Sequence, residues 1–348
     1  MTGRRESHTR KLVGKRRDPK ELTPENVLQE ARIAQEQLNS EGALSIQDWK
    51  ELTEKLASAC RAYYTLAAVS RRRNIEPAAQ EALFSELFQF RASIEKRIFD
   101  SLLLVGDQEL LWKDATSNSF FGVSAKQGVS IRYPLATCVP TKICGARCYA
   151  HDGRDRELHP LFRGALTHYV GFRYEEGSAL DRKRVFESLD KAISYGVSAA
   201  IKDASNAKKA GYNRLPRVRF SHVGEMAATP EFTNDLANEL KKRCPELACV
   251  IYSRHPNANR LNTEKLVVNF TLDRHSSKRR KHAPDGSRIV YSSWDGELSD
   301  TAEVNFLEHH VTEVKSPNLL GNICPVTENH QSIASCDEAH CDKCFRAC

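Results

Sequence analysis

The sequence predicts an α/β chain: a partial parallel (βα) barrel over residues 111–323, preceded by a helical module at 21–110 and followed by a cysteine-rich metal-binding extension at 324–348. Three observations carry this. Between residues 217 and 293, short apolar runs alternate with helical or polar segments, the pattern of parallel βα units. Upstream of Trp112, apolar residues recur at helical spacing without a strand signal. Eight of the eleven cysteines fall in two clusters, one in a loop at 138–148 and one at the end of the chain.

Residues 1–20 hold eight Lys or Arg, two acids and almost nothing to bury, which predicts a disordered basic arm. The whole chain carries a net charge of +7, so the remaining residues are close to neutral. The arm is either a phosphate-contacting segment for nucleic acid or a solvated tail. No run of eighteen apolar residues occurs, so no membrane span is expected. The first residues lack the apolar stretch of a secretory signal. A reducing cytoplasm is the expected location, where cysteines serve as metal ligands or catalysts more than as disulfides.

Thr23 and Pro24 open the first helical segment, at 24–38, as cap and first-turn residue. Segments at 45–72 and 77–105 complete the helical module, with Cys60 read as core. Short strands are expected at 117–121 and 129–133. Helices follow at 158–173 and 181–210, the second split near Gly196. Then come a strand at 217–224, a helix at 230–243, a strand at 248–253, a short helix at 257–262, and strands at 265–272 and 287–293. A helical turn near 301–307 and a last strand at 319–324 finish the series. The strand middles read as apolar. No Gly-rich dinucleotide fingerprint, P-loop or G-x-S-x-G follows any strand, which argues against nicotinamide, P-loop and α/β-hydrolase chemistry.

The loop Cys-Val-Pro-Thr-Lys-Ile-Cys-Gly-Ala-Arg-Cys-Tyr contains Cys138, Cys144 and Cys148, spaced C-x5-C-x3-C and broken by Pro140 and Gly145. Three thiolates can hold a four-iron cluster with one iron left open, or a catalytic zinc with one open position. In parallel α/β folds the working residues gather beyond the carboxyl ends of the strands. That rule selects Tyr149 beside the cysteine loop, then His222, Gly224 and Glu225, Tyr252, Ser253, Arg254 and His255, Thr271, Asp273 and Arg274, and Ser293, Trp294 and Asp295 at the successive strand ends. At the chain end, Cys324 precedes Pro325, and Cys336, Cys341, Cys344 and Cys348 follow as C-x4-C-x2-C-x3-C. This second group fits a structural zinc or a second iron–sulfur cluster. Cys244 and Cys249 read as structural, His151-Asp152 as loop, and the basic patch at 278–282 as a solvated loop or a phosphate contact.

The run Tyr133-Pro134-Leu135-Ala136-Thr137-Cys138, then Cys144, Cys148-Tyr149-Ala150, resembles the signature of the mycobacteriophage gene-product-88-like proteins. Gly224-Glu225, Tyr252-Ser253-Arg254 and Cys324-Pro325 with its cysteine-rich tail are similar to further motifs of that family. The likeness covers roughly residues 112–348, and a phage setting points to nucleic acid or a nucleotide as substrate. The layout also resembles radical S-adenosylmethionine enzymes, which place a three-cysteine loop after the first strand of a partial barrel. There the spacing is C-x3-C-x2-C, and this chain departs from it. The resemblance implies a 4Fe-4S cluster at Cys138, Cys144 and Cys148, with S-adenosylmethionine on the open iron. It further implies Gly224-Glu225 at the cofactor's amino group and a protein electron donor as partner. Tyr149, Tyr252 and Arg254 are expected to help hold the cofactor, and Asp273 and Trp294 to face the substrate. Two other readings stand beside this one: a zinc-stapled nucleic-acid-binding phage protein without catalysis, and zinc hydrolysis at the three-cysteine loop.

Overall fold

The structure, a computed structural model, describes residues 77–124, 128–146, 148, 150, 158–211 and 214–307, with single positions outside these spans that include 323 and 324. The arm at 1–20, the helices expected at 24–38 and 45–72 apart from single positions, Tyr149, His151-Asp152 and the four cysteines from Cys336 onward lie outside the described residues.

One seven-stranded sheet organises the chain, with its strands in sequence order. β1 (Gly122–Ser124) and β2 (Gly128–Ser130) form an antiparallel pair. From β2 onward every pairing is parallel, through β3 (Arg217–Phe220), β4 (Ala248–Ser253), β5 (Val267–Leu272), β6 (Arg288–Ser293) and β7 (Val304–Leu307). The fold is therefore α/β with a mostly parallel sheet. β1 and β7 stand at the two ends of this strand order, and among the described residues no pairing joins them.

The helices are α1 (Pro77–Leu102), α2 (Gln108–Ala115), α3 (Lys142–Ala146), α4 (Leu158–Glu176), α5 (Ala179–Lys209) and α6 (Pro230–Arg243). α5 starts from a capping box: the Ser178 hydroxyl accepts the Asp181 N–H, and the Asp181 carboxylate accepts the Ser178 N–H. It ends on Lys208 and Lys209, which suit the negative end of the helix dipole. Val185, Leu189, Ala192, Ile193, Val197, Ala200 and Ala204 form its buried stripe. Gly196 does not break this helix. A Cβ there would come within 2.9 Å of the Phe121 ring, so the glycine serves close packing and not a kink.

The strands have two unlike faces. In-register neighbours put Val218, Phe220, Cys249, Ile251, Val268, Phe270 and Ile289 on one face, where they join α4, α5 and α6 in the main core. Residues such as Phe220 and Phe270, fully buried there, stabilise by about 1.5–3 kcal/mol each. The other face carries Arg219, Tyr252, Asn269, Thr271, Arg288 and Ser292, alternating with the apolar set. The strand middles are thus polar on one side, where the sequence reading took them as apolar throughout.

Other elements also differ from expectation. Val304–Leu307 is a strand, not a helical turn. Four residues are too few for period 2 and period 3.6 to be told apart. Asn118–Phe120 forms a 3-10 turn, and the strand starts at Gly122. Of the last expected strand, the described residues show one parallel bridge, Asn305 to Ile323. Ile94, Ile98, Phe99 and Leu102 of α1 belong to the same core as the sheet. Among the described residues, no helix is long and apolar enough to cross a membrane.

Candidate metal and cofactor site

The cysteine loop follows β2 and is fastened to the loop after β3 by a ladder of backbone bonds. Ile131 donates to the Arg219 carbonyl at 2.9 Å, His222 to Ile131 at 2.9 Å, and Tyr133 to Val223 at 2.8 Å. The Glu225 N–H then donates to the Thr137 hydroxyl at 2.8 Å. Gly224 sits where the two loops touch, at φ 73°. A Cβ at this position would overlap the Tyr133 and Pro134 carbonyls, so glycine is required by both conformation and space.

Beyond the carboxyl ends of β3–β6 these loops enclose a cavity of about 370 Å³. That is within the usual range for a small-molecule or cofactor site. Cys138, Cys144 and Cys148 all line it, together with Gly224, Glu225, Tyr252, Arg254 and Trp294. The structure therefore brings these eight residues, all selected from the sequence, around one space. Phe88 of α1 closes one side, and Arg219, Thr271, Ser292 and Phe306 from the polar sheet face form the floor.

The three thiols are half-buried by surface exposure, yet their environment is poor in water. Burial first, then the charges of Glu225, Cys148 and Cys144, pushes the Cys138 thiol well above its ordinary pKa. Burial and Cys144 push Cys148 up to about 12. Cys138 and Cys148 are thus held against ionisation, and any metal centre here would have to supply the positive charge that offsets this. Among the described residues, no group of three or more His, Cys, Asp or Glu side chains converges as a binding group for one metal ion. A multi-iron cluster takes one thiolate per iron, so its ligands need only ring a space.

Glu225 is 7% exposed, and burial pushes its pKa up to about 7 despite hydrogen bonds from Ser253 and the Arg254 backbone. Its Oε1 accepts the Arg254 N–H at 3.2 Å. Its Oε2 has no partner and is buried. A carboxylate that lines a cavity with one oxygen held and the other lacking a donor has an unmet acceptor that an ammonium group can satisfy.

Asp273, expected to face the substrate, is fully buried and is not among the cavity's lining residues. Its Oδ2 accepts the Thr141 hydroxyl at 2.6 Å and Arg254 Nη1 at 2.8 Å. Its Oδ1 accepts the His275 N–H and the Ser276 hydroxyl. Burial alone would raise its pKa, but these donors and the Arg254 charge hold it below the ordinary value. Thr141 in turn accepts the Cys144 N–H at 3.2 Å. Asp273 thus ties Arg254 to the turn that presents Cys144, which is a positioning task.

Several braces were not singled out from the sequence. On α1, Arg91 Nε pairs with Glu95 Oε1 at 2.7 Å, both side chains 2% exposed. Arg91 Nη1 donates to the Ala150 carbonyl at 2.5 Å, and Glu95 Oε2 accepts the Leu135 N–H. This pair grips the cysteine loop before Cys138 and after Cys148. Arg279, in the basic turn Ser277–His282 read as a solvated loop or a phosphate contact, donates to the carbonyls of Val139 and Pro140. An i,i+4 Arg–Glu pair looks like any helix-surface pair in sequence. Only its burial reveals the role.

Cys324 is buried with Val290, Val304 and Phe306, and its N–H donates to the Asn305 carbonyl at 2.8 Å. Cys244 and Cys249 are buried at the turn from α6 into β4. Burial pushes Cys249 up to about 12, as expected of an inert structural thiol. No known family model matches the chain, and no curated protein or solved structure matches it either.

Proposed function

We propose that this chain is an iron–sulfur enzyme of the radical S-adenosylmethionine kind, with Cys138, Cys144 and Cys148 holding a four-iron cluster that has one open iron. The single observation that carries the reading is the shared cavity. Three thiols, a buried carboxylate with one unsatisfied oxygen and Arg254 surround one space at the carboxyl ends of parallel strands. S-adenosylmethionine offers an ammonium, a carboxylate and a sulfonium. Glu225 Oε2 receives the ammonium, and the guanidinium of Arg254 faces the carboxylate while Asp273 fixes its angle. When bound, the cluster supplies one electron, taken from an external protein donor, to break a carbon–sulfur bond of the sulfonium and yield methionine and a carbon radical. The protein's own part is orientation and exclusion of water. Phe88, Leu135 and Phe306 supply apolar walls, and Trp294 faces the remaining space where a substrate binds.

Consecutive parallel strands in unbroken order are what a partial barrel would have, and the polar face with Arg219, Tyr252 and Thr271 corresponds to its lumen. The likeness to gene-product-88-like proteins, and with it a nucleic acid or nucleotide substrate, rests on the sequence motifs. A second metal centre at Cys324 and the terminal cysteines is part of the same proposal.

The test is purification and reconstitution without oxygen. The wild-type protein should be brown, carry about four irons for the loop centre on ligand counting, and cleave S-adenosylmethionine when reduced. Cys138→Ala, Cys144→Ala and Cys148→Ala should each lose that activity and the loop's iron. A colourless protein that holds only zinc under these conditions would overturn the reading.

A further inference from the structure

Several buried or half-buried arginines of this fold are answered by carboxylates, and one that is not lies in the cavity. Arg91 pairs with Glu95, Arg214 with Asp203, Arg254 with Asp273 and Arg288 with Glu303. The Arg219 side chain, on β3, has no carboxylate partner and no hydrogen bond among the described residues, and its buried Nε lacks an acceptor. The Tyr252 ring lies 5.1 Å from its guanidinium carbon. Stacking on that ring holds the guanidinium plane on the polar face of the sheet. There it lines the same cavity as the three thiols.

A guanidinium partly withdrawn from water, with its donors unanswered and its ring platform in place, is a preformed receptor for an oxyanion. Glu225 does not supply the missing charge, since its Oε1 is turned to the Arg254 backbone. Thr271 and Ser292, two and three strands away on the same floor, line the cavity with it. Arg219 lies within β3, whereas Glu225 and Arg254 stand beyond the ends of their strands. The anion site is thus set lower in the cavity than the groups assigned to the cofactor.

We infer that Arg219 binds an anionic group of the substrate, a phosphate or a carboxylate, and so selects an acidic small molecule or nucleotide for the cavity. This rests on the enzymatic reading for the identity of the site but not for the binding itself, which can be measured without turnover.

The full-length, anaerobically purified protein is titrated with inorganic phosphate and, separately, with acetate, at constant ionic strength maintained with chloride, following the thermal midpoint. Both anions should raise the midpoint if the site takes any oxyanion. Phosphate alone should do so if it is built for phosphoryl groups. Arg219→Gln should raise the apparent Kd roughly tenfold or more, the size of a lost charge-assisted bond. Arg219→Lys, which keeps the charge and tests for a folding defect, should retain part of the effect. Lys183→Gln, a matched loss of charge on exposed α5, should change nothing. Equal anion shifts in wild type and Arg219→Gln would overturn the inference. So would loss of the phosphate effect under saturating S-adenosylmethionine, because Arg219 would then hold the cofactor's own carboxylate. A protein that binds phosphate through Arg219 yet takes up no iron would sink the enzymatic reading and leave this one standing.

Discussion

Glu225 concentrates the chemistry of the site in one side chain. Its neighbours fix one oxygen and leave the other bare, and the cost of burying that charge lifts its pKa from about 4.5 to about 7. A carboxyl whose pKa is higher in the folded protein binds more protons folded than unfolded. Stability contributed by the neutral form is present below about pH 4.5 and is lost as pH rises toward 7. The expected loss across that window is on the order of 3 kcal/mol for the metal-free protein. Glu225→Gln keeps the shape and the acceptor for Arg254 but cannot ionise. Denaturant midpoints measured between those pH values should fall for the wild type and stay comparatively level for the variant. Parallel profiles would show that Glu225 is not the group held neutral. A ligand with an ammonium group reverses the sign, since it binds the ionised form and tightens as pH rises.

Among the elements, α1 does the most that its sequence does not announce. Its apolar stripe was legible as packing surface, and Ile94, Ile98 and Leu102 do enter the core. Arg91 and Glu95 were not legible, because their spacing is that of an ordinary surface pair and only the cysteine loop above them makes the difference. Both are 2% exposed and both bond to the loop's backbone. Removing one partner leaves the other charge buried alone, which costs about 3–5 kcal/mol. Arg91→Met should therefore lower the unfolding free energy by that amount. Arg91→Met with Glu95→Leu should recover much of it, although the Leu135 N–H then loses its acceptor. The discriminating readout is iron uptake by the loop. If the pair positions the loop, the double variant should fold and still load iron poorly. Normal loading in a folded double variant would make the pair a matter of stability alone. The strands show the same limit of reading. Ala248–Ser253 and the helix Pro230–Arg243 were placed to the residue, the strand from its apolar run and the helix from Phe232, Leu236 and Leu240 on one side. The polar face was missed because Arg219, Asn269 and Thr271 sit singly between apolar neighbours, and sequence alone does not say which face lacks a covering helix.

For the molecule as a whole, the cavity exists because segments distant in sequence close on it: α1 on one side, the cysteine loop above, and four consecutive strand ends below. The rule that active residues gather beyond parallel strands picked Glu225, Tyr252, Arg254 and Trp294, which line the cavity, since strand ends are readable. It misplaced the task of Asp273, since whether a terminal carboxylate faces a cavity or braces its neighbours depends on Thr141, 132 residues away. The assembled electrostatics then sets a condition on metal loading. Cys138 and Cys148 are raised by burial and by the other charges around the cavity, so the metal-free thiols stay protonated near neutral pH. A centre bound by three thiolates must expel about three protons, and its apparent affinity must rise with pH. Anaerobic loading in weakly buffered solution with a pH indicator should release about three more protons per chain from the wild type than from the variant with Cys138, Cys144 and Cys148 all changed to Ser. The terminal cysteines contribute equally to both and cancel in the difference. If the two proteins release the same number, the three thiols do not share a centre, and the cavity must be explained by the carboxylate and the arginines alone.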